Sequence, residues 1–153
     1  MPEGPASRER SVWPVGLQAR KASIGLRWDN MTQATVIIVD DDHAFVDAVS
    51  LFLQKRGYRT RIGYNGCEGR GLLSAEDAAV AIIDVHMPDL GGLELVESLQ
   101  NCAHRPAVIL ISADDSLETE RRCSLSGAAQ FLVKPIAPAE LLRLVGALVN
   151  HPC

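Results

Sequence analysis

The chain has 153 residues, 47% of them hydrophobic and 22% charged, which is material for one domain around a single core and excludes a chain disordered throughout. Fifteen Lys and Arg stand against 19 Asp and Glu, a net charge of −4. That balance offers no basic footprint for displacing counterions from a nucleic-acid backbone, so direct nucleic-acid binding is not expected.

Residues 1–33 differ from the rest: they hold both tryptophans (Trp13 and Trp28), Pro2, Pro5 and Pro14, and a net charge of +2. No apolar period runs through them, beyond a short helical pattern around Val15 to Ile24, so an N-terminal extension, flexible or loosely docked, is expected. A functional alternative makes Arg20, Lys21 and Arg27 an interaction arm. Met31 is a natural start for the compact domain, expected over 34–150, with 151–153 as a tail.

From Ala34 short apolar runs alternate with amphipathic segments. Thr35 to Val39 is a β-branched run, a strand buried on both faces. Phe45, Val46, Val49, Phe52 and Leu53 recur at helical spacing up to Gly57, a C-cap. Arg59 to Ile62 predicts a more polar edge strand. Gly66, Gly69 and Gly71 follow, each costly inside a helix, so a short or irregular and mobile helix is expected to about Ser74. Val80 to Asp84 is the third strand, and Gly92 to Asn101 the third helix with Leu93, Val96 and Leu99 inward. Ala107 to Ile111 is the fourth strand; Asp115 and Glu118 form a capping pattern for a helix ending near Gly127. Gln130 to Val133 is the fifth strand, and Pro138 opens a last helix containing Leu141, Leu144 and Leu148. Five such units imply a parallel α/β sheet with right-handed crossovers and helices on both faces.

Cys67, Cys102, Cys123 and Cys153 lie far apart with no zinc-ligand spacing, and read as free thiols in a reducing cytoplasm. No run of 18 apolar residues and no signal-peptide order is present, so a cytoplasmic chain with no membrane partner is expected.

In parallel sheets ligands bind beyond the carboxyl ends of the strands. There the sequence puts Asp40, Asp41 and Asp42 after the first strand, Asp84 at the end of the third, Ser112 after the fourth and Lys134 after the fifth. Each has an ordinary explanation alone; Asp42 in particular reads as a helix N-cap. Together, the carboxylates repel and need a cation to stay ionised, and Mg²⁺ suits an all-oxygen donor set. A lysine and a hydroxyl beside that metal make a phosphoryl site.

From Thr35 to about Asn150 the chain resembles the receiver domain of two-component response regulators. The acidic pair matches Asp40 and Asp41; the phosphoacceptor matches Asp84 in the run Asp84-Val85-His86-Met87-Pro88-Asp89; the hydroxyl position is Ser112, the lysine-proline pair Lys134-Pro135, and the switch aromatic Phe131. The resemblance implies a flavodoxin-like doubly wound five-stranded parallel sheet, order 2-1-3-4-5, with five helices. It implies that Asp84 takes a phosphoryl group from a sensor histidine kinase or histidine phosphotransfer protein. Mg²⁺ is then held by Asp41, Asp84 and the His86 backbone carbonyl, with Asp40 acting through metal-bound water. Lys134 pairs with the phosphoryl group, directed by a cis bond to Pro135, while Ser112 swings toward it and Phe131 turns into the vacated space. His86 and Asp114 occupy positions that modulate dephosphorylation. Output is expected through the fourth helix, fifth strand and fifth helix (the α4-β5-α5 face), with Leu117, Arg121 and Arg122, to a downstream protein or as a homodimer. The chain is read either as a stand-alone receiver or as the receiver of a longer DNA-binding regulator.

Two rivals compete with this reading. A haloacid-dehalogenase-type phosphatase would use Asp40 as nucleophile and Asp42 as acid, but residue 44 is Ala, and the acidic pair Asp114-Asp115 precedes Lys134. A pseudo-receiver that binds without phosphorylation is disfavoured by the retention of all five landmark residues.

Overall fold

The β-branched run Thr35–Val39 forms strand β1, an inner strand of the sheet, with Val36 to Val39 buried because helices cover both faces. A computed structural model describes residues 34–150. The expectations for the N-terminal extension and its basic arm, for Cys153 and for the tail fall outside them. The other strands are β2 (Arg59–Gly63), β3 (Val80–Asp84), β4 (Ala107–Ser112) and β5 (Gln130–Val133), all parallel in the order β2-β1-β3-β4-β5. The polar β2 and the short β5 take the two edges, where half-exposed sequences belong.

The period of two along each strand sorts the core into layers. Val36, Ile38, Val80, Ile82, Ile109 and Ile111 pack under helices α1 (His43–Gln54) and α5 (Pro138–Asn150). Ile37, Val39, Ala81, Ile83, Val108 and Leu110 pack under α2 (Gly66–Ala75), α3 (Gly92–Ser98) and α4 (Leu117–Leu125). The register sets Val39 beside Gly63 and Ile83, Asp84 beside Ile111, and Ser112 beside Val133. All the polar strand ends therefore emerge at one edge.

Several local expectations change. Helix α2 is a regular ten-residue helix rather than a short or irregular one. Its glycines mark close packing: a Cβ on Gly69 would stand 2.7 Å from Val39 Cγ1, and one on Gly66 would collide with Leu90. The helix is closed at its start by Asn65, whose side chain accepts from the Glu68 N–H at 2.8 Å. Helix α1 ends at Gln54, and Gly57, at φ 95°, completes the turn into β2. Helix α3 is shorter than predicted; Leu95 is fully buried while Leu93 is only half-buried. Ser116 rather than Asp115 caps α4, accepting from the Thr119 N–H at 3.2 Å. Cys67 and Cys102 are exposed and Cys123 is buried, all as free thiols. Among the described residues, no helix is long and apolar enough to cross a membrane.

Candidate functional site

Asp40 follows directly on β1 and is fully buried, with Oδ1 accepting the Asp42 N–H at 2.9 Å. Asp42 is spent on α1, where its carboxylate accepts the Phe45 N–H at 3.2 Å as an N-cap. Asp84 ends β3 and is buried; Asp41 is exposed at the rim. Each of Asp40, Asp41 and Asp84 offers a carboxylate oxygen, all within 4.8 Å of one another. The cluster thus joins the ends of two strands separated by forty residues of sequence.

From the sheet edge, Lys134 reaches in and donates from Nζ to Asp40 Oδ2 at 2.7 Å. Its backbone N–H donates to the Ser112 carbonyl at 2.8 Å, its ammonium lies 4.7 Å from the Phe45 ring centroid, and its bond to Pro135 is cis. Phe45 therefore covers the lysine from α1, a role no sequence pattern assigned to it.

The electrostatics follow from one cation among three carboxylates. Burial first, and then the charges of Asp40 and Asp41, push the Asp84 carboxyl up to about 7 from its ordinary 3.8, against the pull of Lys134. Burial also raises Asp40, more than the Lys134 hydrogen bond and charge can offset. Burial works against the Lys134 charge, but the Asp40 hydrogen bond and the charges of Asp40 and Asp84 leave its pKa above the ordinary value. Hard oxygen donors whose mutual repulsion is only partly relieved by one ammonium are suited to a hard divalent cation.

Ser112 is fully buried at the end of β4, and its Oγ accepts the Asp114 N–H at 2.9 Å. Phe131 is half-buried and packs on the α2-α3-α4 face of the sheet. His86 lies on the exposed loop after β3, with Nε2 3.7 Å from Asp114 Oδ2. Thr119 donates its hydroxyl to that same oxygen at 2.6 Å, and the Ser116 N–H donates to Asp114 Oδ1 at 2.9 Å. These bonds, Thr119 first, hold the Asp114 carboxyl below the usual range.

Sequence reasoning gave Asp89 no role of its own. Its carboxylate accepts the Gly66 and Cys67 N–H groups at 2.9 Å each, tying the loop after Asp84 to the start of α2. A depression of about 550 Å³, lined by Asp41, His86, Met87, Pro88 and Arg122 among others, opens beside the carboxylates. A second cavity of about 550 Å³, lined by Ala78, Pro106, Ala128 and Leu148, lies at the other end of the strands, away from the chemistry.

A doubly wound parallel sheet with buried carboxylates, a lysine and a hydroxyl at its carboxyl edge defines a class of acidic, cation-adapted α/β sites. Residues 36–146 match the response regulator receiver domain, and the chain belongs to that family, the receivers of two-component systems. The chain is 34% identical over 121 residues to the transcriptional regulatory protein GltR of Pseudomonas aeruginosa, covering 76% of this chain and 49% of that protein. It is 30% identical over 122 residues to the DNA-binding transcriptional regulator NtrC of Rhizobium meliloti, covering 80% and 25%. It thus spans half or less of the length of these relatives. Among solved structures it resembles the receiver domain of the Francisella response regulator 1452, with a TM-score of 0.74 and 28% identity over 79% of this chain and all of that one. It likewise resembles a CheY-like receiver domain from Methanospirillum hungatei, with a TM-score of 0.73 and 28% identity over 77% and 94% of the two chains.

Proposed function

We propose that the chain accepts a phosphoryl group on Asp84 from a phosphohistidine of a sensor histidine kinase or phosphotransfer protein, in the cytoplasm, and converts that charge into a conformational signal. The observation that carries the reading is the meeting of Asp40, Asp41 and Asp84 with the Lys134 ammonium at the carboxyl edge of the sheet. An Asp84 oxygen bonds to phosphorus as the phosphorus–nitrogen bond of the donor breaks, its electron pair returning to the imidazole. The product on this chain is an acyl phosphate.

Mg²⁺ fits the donor set; Asp41, Asp84 and the His86 backbone carbonyl would hold it, with the Asp40 carboxylate adding its negative charge beside them. Bound there, it supplies neutralisation of the charge carried by the transferring phosphoryl group. Lys134 turns its ammonium from Asp40 to a phosphoryl oxygen. Ser112 gives its hydroxyl to another, exchanging the Asp114 N–H for the phosphoryl group. Phe131, which has no hydroxyl to satisfy, turns inward on packing alone, so a local change of charge biases a two-state element. His86 and Asp114, on the loops after β3 and β4, tune the later loss of phosphate to water.

Output leaves through α4, β5 and α5, where Leu117 and Leu125 are 83% and 77% exposed and Val133 and Arg121 are also at the surface. GltR and NtrC are transcriptional regulators by name, which favours a DNA-binding partner or part as the receiver of this signal.

The test is incubation with acetyl phosphate and Mg²⁺ followed by mapping of the modified residue. Label on Asp84, lost with EDTA and in Asp84→Asn, supports the reading. Label on Asp40 favours the dehalogenase-type chemistry, and no label in the intact protein favours a pseudo-receiver.

A further inference from the structure

Thr119 has no part in the function proposed above, yet it is buried, 6% exposed, alongside Cys123 on a helix whose other residues face solvent. Its hydroxyl is spent on Asp114 Oδ2 at 2.6 Å, while the Ser116 N–H takes Oδ1. Both oxygens of this carboxylate are thereby turned toward the start of α4. The Asp114 backbone N–H holds Ser112 Oγ, and its Oδ2 lies 3.7 Å from His86 Nε2. Asp114 thus stands where the loop after β4 meets the loop after β3, the loop that Asp84 leads into.

We propose that Thr119 is a positioning residue that sets the lifetime of the acyl phosphate by keeping the Asp114 carboxylate tied to α4. The inference rests on Asp84 being the phosphoacceptor. In hydrolysis a water oxygen bonds to phosphorus from the side opposite the Asp84 oxygen. The phosphorus–oxygen bond to Asp84 breaks and returns its electron pair to the carboxylate; one water proton goes to a base and the other leaves with orthophosphate. That water approaches from the solvent side, where the loops carrying His86 and Asp114 end. A carboxylate held at both oxygens by Thr119 and Ser116 is not free to swing onto it. Freed from Thr119, Asp114 can rotate, accept the water proton and speed the loss of phosphate. A well-placed general base contributes roughly 10²-fold or more, so a carboxylate that takes up the position part of the time gives about tenfold.

The experiment measures the decay of phosphorylated protein by intact mass in four forms: the natural chain, Thr119→Val, Thr119→Ser, and Thr119→Val combined with Asp114→Ala. Thr119→Val keeps the shape and removes only the donor. It is expected to shorten the lifetime about tenfold, Thr119→Ser to restore it, and the loss of Asp114 to cancel the effect of Thr119→Val altogether. In the metal-free, unphosphorylated protein, the His86 ring signals in NMR are expected to move in Thr119→Val and to stay in place in Thr119→Ser, whatever the fate of the phosphoryl group. An unchanged lifetime in Thr119→Val, a shortening that persists without Asp114, or unmoved ring signals overturns the proposal while leaving the phosphoacceptor reading intact. A natural chain that takes no phosphoryl group on Asp84 overturns both.

Discussion

Replacing Asp84 by Asn in the metal-free protein isolates the cost of crowding carboxylates at the sheet edge. The side chain keeps its shape and one accepting oxygen, exchanges the other for an NH₂ donor, and loses its charge. With a carboxyl of about 7 in the folded chain against 3.8 when unfolded, Asp84 binds a proton in the native state over a range where the unfolded chain has released it. Stability due to this group is therefore fully present below pH 3.8 and is lost as the pH rises through 7. At 1.36 kcal/mol per pH unit, the loss amounts to about 2 kcal/mol at pH 5 and about 4 kcal/mol at pH 7 and above. Asp84→Asn removes the penalty, so in EDTA it should be more stable than the natural chain by up to about 4 kcal/mol at pH 7.5, with the gain shrinking to almost nothing near pH 4. Urea titrations followed by circular dichroism at pH 4, 5, 6 and 7.5 measure the difference. A gain that does not depend on pH, or a variant less stable than the natural chain at pH 7.5 in EDTA, would falsify the electrostatic account of the cluster.

Other outcomes follow from the same geometry. Lys134→Gln leaves Asp40 fully buried without its counter-ion and should cost about 3 kcal/mol at pH 7 in a urea titration, most of it recovered by adding Asp40→Asn. In α2, Gly71 has open space where a Cβ would stand, so Gly71→Ala should raise stability by about 1 kcal/mol. Gly69→Ala drives a methyl against Val39 and should lower it by about 1–3 kcal/mol; equal effects of the two would refute the packing explanation of these glycines. Hydrogen bonds from Gly66 and Cys67 hold the Asp89 carboxyl below its ordinary 3.8, so its contribution is present above that pH and lost as the pH falls through its lowered folded value. Asp89→Asn should flatten the decline in stability below pH 4 and speed amide hydrogen exchange at Gly66 and Cys67; unchanged exchange would count against the tie.

Much of this protein was legible in the chain because local rules and the global fold agree. The apolar runs at 35–39, 80–84 and 107–111 read as strands of a buried sheet, and the more polar 59–62 as an edge; the structure extends the fourth strand by one residue, to Ser112. Since parallel strands all deliver their C-terminal residues to one edge, Asp40, Asp84, Ser112 and Lys134 were predictable neighbours from the order of the runs alone. Where reading along the chain failed, the deciding partner was distant. The glycines of α2 look like helix breakers until Val39 and Leu90 are seen against them. Asp89 has no role until it meets the start of α2, more than twenty positions earlier. Leu93 and Leu95 cannot be ranked by periodicity over a helix of only seven residues.

The sequence by itself determined the order of the elements, their parallel arrangement and the chemical kinds of group at the site, because hydrophobic period and strand polarity are local properties. Only the tertiary structure decided that Lys134 spends its charge on Asp40, that Phe45 covers it, and that Asp114 is tied to Thr119 rather than free at the mouth. Those choices depend on which of several competing partners lies within hydrogen-bond reach. Burial, which raises the stakes of each pairing, exists only once the layers have closed.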